Sequence, residues 1–425
     1  MSHSANEQRG AAESRARDFS LWQLFVMVFL PFAAGYFLSY LFRTVNAVIA
    51  TDLERDVGLS ASDLGLLTAA YFLSFALFQL PLGVLLDRYG PRRVEAVLLV
   101  IAGAGSVLFA TGEGMAELSV GRALIGLGVS ACLMASFKAF SAWFPAERLP
   151  LVNGCLLAFG GFGAMAATTP VEMALGWTDW RTIFLGLAVA CVVTALAVWF
   201  VVPDEDRDAR GGGLRDQLAG LRHVLTSTYF WRIAPLAMLT QGGSLAIQGL
   251  WAGPWMRDVA EMSRQAVADT LLLIALAMAI GFAAWGVISD RLVRRGVQPV
   301  QVLTLGVALF LACKLFLVLQ PEAGVVPLWM AFAFFGTSGT LVYAMISQQF
   351  PAALSGRANT AVNLAVFAGA FVLQWGIGFV IEVREFPDGE GYAPSGYALA
   401  FGGVLALQVA AFIWFLLPRR YKGVT

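Results

Sequence analysis

A short charged turn, Gly83-Val84-Leu85-Leu86-Asp87-Arg88-Tyr89-Gly90-Pro91-Arg92-Arg93, separates two long apolar runs, and a near copy, Gly286-Val287-Ile288-Ser289-Asp290-Arg291-Leu292-Val293-Arg294-Arg295, recurs roughly 200 residues later. Gly90 and Pro91 break the helix that precedes them. Asp87, Arg88, Arg92 and Arg93 cannot rest in hydrocarbon, so the turn is expected at a membrane face, and its arginines mark that face as cytoplasmic. One turn repeated in corresponding halves implies an internal duplication, a sequence mark of many transporters.

Composition supports the membrane reading. Only 13% of the 425 residues are charged, 59% are hydrophobic and mean hydropathy is +0.73, too little charge for a soluble domain of this length. The 28 basic and 28 acidic residues cancel, which argues against nucleic acid as a partner. They are sorted by side, with Arg88, Arg92, Arg93, Arg291, Arg294, Arg295, Arg357, Arg419 and Arg420 in the loops assigned to the cytoplasm. Asp52, Glu54, Asp56, Glu113, Glu117, Asp258, Glu261, Glu382 and Glu385 fall in the opposite loops, so both termini are expected inside. Cys132, Cys155, Cys191 and Cys313 lie in apolar runs without metal-ligand spacing, and read as small packing residues. His3 and His223 lie outside the spans, which excludes an intramembrane histidine relay. Residues 1–20 are polar and lack the apolar core of a signal peptide, so the first span is expected to direct insertion.

At about 20 apolar residues per crossing, twelve spans are predicted. The first six are Gln23–Ile49, Asp63–Leu86, Val94–Ala110, Leu118–Trp143, Val152–Leu175 and Thr182–Val202. The second six are Ile233–Trp255, Thr270–Ile288, Val300–Leu319, Val326–Gln348, Asn359–Ile381 and Tyr397–Leu417. The predicted division is a tail 1–20, a six-helix half 21–202, a polar linker 203–228, a second half 229–418 and a tail 419–425. The expected fold is thus an all-α membrane protein of twelve transmembrane helices in two pseudo-symmetric six-helix halves.

The pattern Gly-x-x-x-Asp-Arg-x-Gly-x-Arg-Arg from Gly83 to Arg93 resembles the signature loop of the major facilitator superfamily, and the resemblance covers nearly the whole chain. The second copy departs from it with Leu292-Val293 in place of Tyr89-Gly90. Arg122-Ala123-Leu124-Ile125-Gly126-Leu127-Gly128 resembles a second motif of that superfamily, whose arginine is mostly structural and occasionally takes part in proton coupling. The exporter ending Gly-Pro-x-x-Gly-Gly is missing from span five, where Gly163 to Pro170 stands instead. Lys138 ahead of Trp143-Phe144-Pro145, and Tyr40-x-x-Arg43-x-x-Asn46 in span one, are similar to the anion:cation symporter and organophosphate-exchanger branches. The resemblance implies that the span-one arginine contacts a substrate carboxylate. Two acidic positions of those symporters are Phe42 and Val129 here, so their familiar proton site is missing.

The residues themselves point the same way. Charges inside spans are costly and mark pathways. Tyr36, Tyr40 and Arg43 share a helix face, and a guanidinium flanked by phenols suits a carboxylate or phosphate; the alternative is that Arg43 snorkels to the interface. Lys138 sits about 160° around the helix from Arg122, so a straight span cannot aim both into one cavity. Lys138 either joins the site or snorkels. Span seven carries Gln241, Ser244, Gln248 and Trp251 as one polar stripe that lines a wet cavity or bonds neighbouring helices. Tyr343 in span ten, and Asn363 and Gln374 in span eleven, add neutral donors and acceptors. Expected substrate contacts are Tyr36, Tyr40, Arg43, Lys138, Gln241, Gln248, Tyr343 and Asn363. Gly83, Asp87, Arg88, Arg92, Arg122, Asp290 and Arg291 are expected to govern conformation, and Glu172 is the remaining candidate for a proton site, with an interfacial carboxylate as the alternative.

No phosphate loop, intramembrane Ser-His or Cys-His pair or His/Cys metal cluster is present, so neither enzyme chemistry nor a cofactor or metal is expected. The expected activity is secondary or facilitated transport of a small organic anion across a bacterial inner membrane by a monomer working by alternating access. The alternatives are a multidrug or siderophore exporter and a transporter-like membrane sensor.

Overall fold

The computed structural model describes residues 19–145, 148–204, 214–350, 352–383 and 392–417. Most of the tail 1–20, the middle of the linker at 205–213, Glu385, Arg419 and Arg420 lie outside these residues. The first six membrane helices are α1 (Leu21–Thr44), α2 (Ala61–Tyr89), α3 (Pro91–Thr111), α4 (Met115–Trp143), α5 (Leu151–Leu175) and α6 (Trp180–Val201). Next comes α7, continuous through Thr228–Ala246, Ile247–Trp251 and Ala252–Asp258. The rest are α8 (Arg264–Arg294), α9 (Pro299–Val318), α10 (Val325–Ile346), α11 (Gly356–Glu382) and α12 (Pro394–Leu416).

Eleven of these, all but α7, are both long and apolar enough to cross a membrane on length and composition. Helix α7 is long enough at about 1.5 Å per residue. Its Arg232, Gln241, Ser244 and Gln248 make it more polar than its neighbours. Twelve transmembrane helices in two halves result, as the apolar runs predict. A short helix, Asn46–Val57, continues α1, and Leu214–Leu225 forms a linker helix between the halves.

The two charged turns place both copies at one end of the bundle, called here the loop end. Gly90 adopts φ +78°, a conformation that costs a side chain but not glycine, and Pro91 opens α3, where its missing N–H is no loss. In the second copy the helix continues through Leu292-Val293, and the left-handed residue is Gly296, at φ +88°, ahead of Pro299. The duplicated turn is therefore kept, shifted along the chain.

Close packing within the first half rests on α4. A methyl group at Gly126 would meet the Tyr71 carbonyl of α2, and one at Gly128 would meet Leu98 and Ala102 of α3. Backbones approach this closely only over small residues, and in lipid that contact is what holds helices together. Between the halves α2 packs along α11 and α5 against α8. Gly65 and Gly378 let α2 and α11 meet at the end opposite the loops, and the Phe75 and Phe367 rings stack at 4.2 Å nearer the middle.

Candidate functional site

Arg43 lies in the last turn of α1, facing the second half. Its guanidinium is 4.5 Å from the centre of the Tyr40 ring, 5.5 Å from that of Phe75 on α2 and 5.3 Å from that of Phe367 on α11. Rings from both halves thus box one cation, an arrangement that stabilises it through the ring faces. Its Nε has no hydrogen-bond partner among the described residues. Tyr36 and Tyr40 meet edge to face at 5.2 Å, as their helical spacing requires. They have room because α5 offers Gly160 there: a methyl group would come within 2.5 Å of the Tyr36 ring and 2.9 Å of Tyr40. Tyr343 of α10 is within electrostatic range of Arg43 and Tyr40, and its hydroxyl donates to Asn363 Oδ1 of α11 at 3.1 Å. The structure therefore gathers Tyr36, Tyr40, Arg43, Tyr343 and Asn363 around the boundary between the halves.

The span-seven stripe is divided. Gln241 Nε2 donates to the Gly339 carbonyl of α10 at 2.9 Å, and Trp251 Nε1 donates to the Gln374 carbonyl of α11 at 3.0 Å. Gln248 Nε2 is buried without a partner among the described residues. Gln248 lies within a π-helical turn over Ile247–Trp251, which interrupts the regular spacing of the stripe. This turn adjoins the cluster: a methyl group at Gly249 would lie 3.4 Å from the Arg43 carbonyl.

Lys138 is not brought to the Arg43 cluster. Its Nζ donates to the Leu86 carbonyl at 2.9 Å and to Asp87 Oδ1 at 2.6 Å, tying α4 to the charged turn. Arg122 is fully buried; its Nη1 donates to the Phe42 carbonyl at 3.1 Å, and its guanidinium faces Tyr71 and Phe109. Arg122 thus fixes the backbone one residue before Arg43. At the loop end Arg92 Nε donates to the Trp199 carbonyl at 2.7 Å, Arg93 reaches Asp204 at 3.1 Å, and Arg88 covers the Tyr89 ring. In the second copy Asp290 pairs with Arg294 within one helix, while Arg291 is exposed. Gly83 is an interior residue of α2.

At the opposite end the halves are joined by ion pairs. Arg264, at the start of α8, forks onto Asp52 at 2.9 and 2.6 Å and reaches Glu172 of α5 at 2.6 Å. Arg257, beyond the apolar part of α7, donates to Thr51 at 2.7 Å and Glu54 at 3.0 Å, and is itself held by Asp258 at 2.5 and 3.0 Å. Glu382 of α11 accepts from the Ser62 N–H at 3.0 Å, and Thr169 donates to Asp269 at 2.9 Å. Burial pushes the Glu54 carboxyl up, with Arg257 pulling the other way. Glu172 is therefore one side of a clasp between the halves in this arrangement.

Other residues escape a reading of the sequence. Lys314 of α9 is fully buried and its Nζ has no partner among the described residues; its position inside an apolar run is the available signal. Glu95 of α3 is fully buried, and among the described residues its oxygens have no stronger partner than the Cys132 thiol. Arg257 and Arg264 stand at helix ends that flank a stretch read as acidic, and only the fold shows that they pair with Glu54, Asp52 and Glu172 of the other half.

Comparisons with known proteins agree with this architecture. The profile described as Major Facilitator Superfamily matches residues 32–373. A protein named probable sulfoacetate transporter from Cupriavidus necator is 27% identical over 274 residues, 61% of this chain and 64% of that one. The hexuronate transporter of Escherichia coli K12 is 26% identical over 230 residues, 50% of this chain and 52% of that one. The matched region thus spans about half to two thirds of these relatives. Among solved structures, a bacterial homolog of the human lysosomal transporter Spinster, inward-facing and unoccupied, superposes with a TM-score of 0.73 at 15% identity, covering 93% of this chain and 97% of that one. A D-xylose–proton symporter gives 0.71 at 17% identity, covering 94% and 98%. With the signature loop, the twelve helices and the matched profile together, the chain belongs to the major facilitator superfamily.

Proposed function

We propose that this chain is a transporter carrying a small organic anion, held between the halves on Arg43. The observation that carries this reading is the Arg43 guanidinium, ringed by Tyr40, Phe75 and Phe367 from both halves and keeping an unpartnered Nε. A carboxylate or sulfonate accepts two parallel N–H bonds from such a fork. Tyr36, Tyr40, Tyr343 and Asn363 supply neutral donors and acceptors around it, and Gln248 adds an amide from the π-turn. Lys138 and Gln241 are engaged with Asp87 and Gly339 in this arrangement, so the proposal does not depend on them. The two relatives are named for sulfoacetate and hexuronate, both anions, which supports the class.

With the loop end taken as cytoplasmic and the membrane as a bacterial inner membrane, the clasp of Arg264, Asp52 and Glu172 closes the outer face. The arrangement is then one that is shut towards the outside. Opening the clasp while the loop ends meet would expose the same site outward, with a monomer sufficient for the cycle. The test is a thermal-shift screen of purified protein against carboxylates, sulfonates, phosphate esters and lipophilic cations. Anions should raise the melting temperature of the wild type and leave Arg43→Ala unmoved. Stabilisation by cations alone would overturn the anion reading.

A further inference from the structure

We propose that Glu95 is a proton-binding site through which anion movement is coupled to H⁺; this rests on the transport reading above. Glu95 is the fifth residue of α3, has no exposed surface and, among the described residues, has no stronger partner on either oxygen than the Cys132 thiol. Its Oε1 lies against the backbone of α1 at Gly35, so closely that a methyl group there would collide with it. The Cys132 thiol of α4 adjoins the same spot, with Cys191 of α6 and Tyr36 of α1 next to that thiol. A thiol is a weak donor. Among the described residues no cation acts on Glu95: Arg122 lies ten residues from Cys132, about 15 Å along α4.

An ionised carboxylate sealed in this place would be an uncompensated buried charge, which costs several kcal/mol. The arrangement shown is therefore one in which Glu95 carries a proton. What seals it is the segment Leu30–Thr44 of α1, which holds Gly35 and, beginning at the next residue, Tyr36, Tyr40 and Arg43. That segment is bounded by a π-helical turn at Phe25–Phe29 and by a one-residue irregularity at Val45, whose carbonyl accepts from both the Val48 and Ile49 N–H groups before the helix Asn46–Val57. Irregular turns at both ends let one segment shift without unravelling its neighbours. An anion pulling on Arg43 and a proton sitting behind Gly35 thus act on the same piece of α1. A ligand shifts an equilibrium only by its differential affinity for the two states, and here both ligands bias one element. A proton taken up at Glu95 from one side and released to the other, once per anion, gives coupled movement without the acidic positions that Phe42 and Val129 replace.

The experiment uses the full chain in proteoliposomes, with labelled sulfoacetate and glucuronate as probes. Exchange is measured without a gradient, accumulation with an imposed pH gradient, and the protonated carboxyl band by infrared difference spectroscopy on purified protein. Glu95→Gln should keep exchange within about twofold and lose gradient-driven accumulation by at least about tenfold. The carboxyl band should vanish in Glu95→Gln, and Glu95→Asp should restore part of the accumulation. Retained exchange shows that the variant is folded. Accumulation by Glu95→Gln equal to wild type, with the band unchanged, overturns the proposal. If the wild type moves neither probe but loses the band on Glu95→Gln, the choice of anion fails while the proton site stands. A wild type that exchanges a probe yet never responds to the gradient overturns the coupling.

Discussion

Replacing Arg264 by alanine should open the end of the bundle opposite the loops. Arg264 makes three bonds to carboxylates of the other half, two to Asp52 and one to Glu172. Charge-assisted bonds contribute about 1.5–3 kcal/mol each when sheltered. This side chain is 43% exposed, and exposed pairs contribute only about 0–1 kcal/mol. Asp52, itself 7% exposed, also keeps Arg55 at 3.2 Å, so it is not stranded by the change. The whole fork is then worth about 1–2 kcal/mol, or about 5–30-fold in the ratio of open to closed states. Ala61 is a suitable reporter, since it is fully buried where its carbonyl meets Gly378 across the halves. With Cys155 and Cys313 replaced by serine, the rate at which a maleimide labels Ala61→Cys measures the open population. Arg264→Ala should raise that rate by about 5–30-fold, and Arg264→Lys by less, because one ammonium cannot reproduce the fork. An unchanged or slower rate would show that the ion pairs do not hold this end closed.

Glu54 gives a pH dependence whose sign is set by its burial. Its carboxyl is pushed up in the closed arrangement, so closure takes up a proton; the extra stability is full below the ordinary carboxylate value and fades as pH rises through the raised one. Ala61→Cys labelling should therefore slow between about pH 7 and about pH 4 after correction for thiolate content, and Glu54→Gln should flatten the profile. Asp87→Asn should cut transport while leaving expression intact, and Lys138→Ala should add little to it, because both remove the same 2.6 Å pair; additive losses in a double-mutant cycle would refute this. Gly160→Ala should weaken anion binding by displacing Tyr36 and Tyr40, read by titration calorimetry against an unchanged far-ultraviolet spectrum; wild-type affinity would mean that those rings are not in the site.

The fold is largely legible in the sequence because its determinants are local. Apolar runs of membrane-spanning length announce helices, Gly90 and Pro91 announce a stop and a start, and the second copy of the turn announces the duplication. The site is legible where it depends on one helix, as with Tyr36, Tyr40 and Arg43. It is illegible where it depends on backbone irregularity or on partners far away in the chain. The π-turn at Ile247–Trp251 breaks a stripe drawn at regular spacing, so Gln241 and Gln248 part company. Lys138 reads as a residue that snorkels or lines the cavity, yet its partner is Asp87, 51 residues earlier. Glu172 reads as interfacial, and Arg264, 92 residues later, is what it clasps. Glu95 falls at the very start of the predicted span Val94–Ala110. Helix α3 starts four residues earlier than Glu95, and packing against Gly35 and Cys132 carries the carboxyl away from water, which no count of apolar residues can reveal.

Anion binding is proposed to rest on Arg43. Its most direct measurement is the dissociation constant of the best anion found by thermal shift, determined by calorimetry for the wild type, Arg43→Ala and Arg43→Lys. Removing one member of a desolvated Arg–carboxylate pair costs about 2–5 kcal/mol, so Arg43→Ala should weaken binding by at least about thirtyfold. Arg43→Lys should recover part of that, keeping the charge but losing the fork. Arg43→Ala binding the anion with wild-type affinity would contradict the account and place the site elsewhere in the bundle.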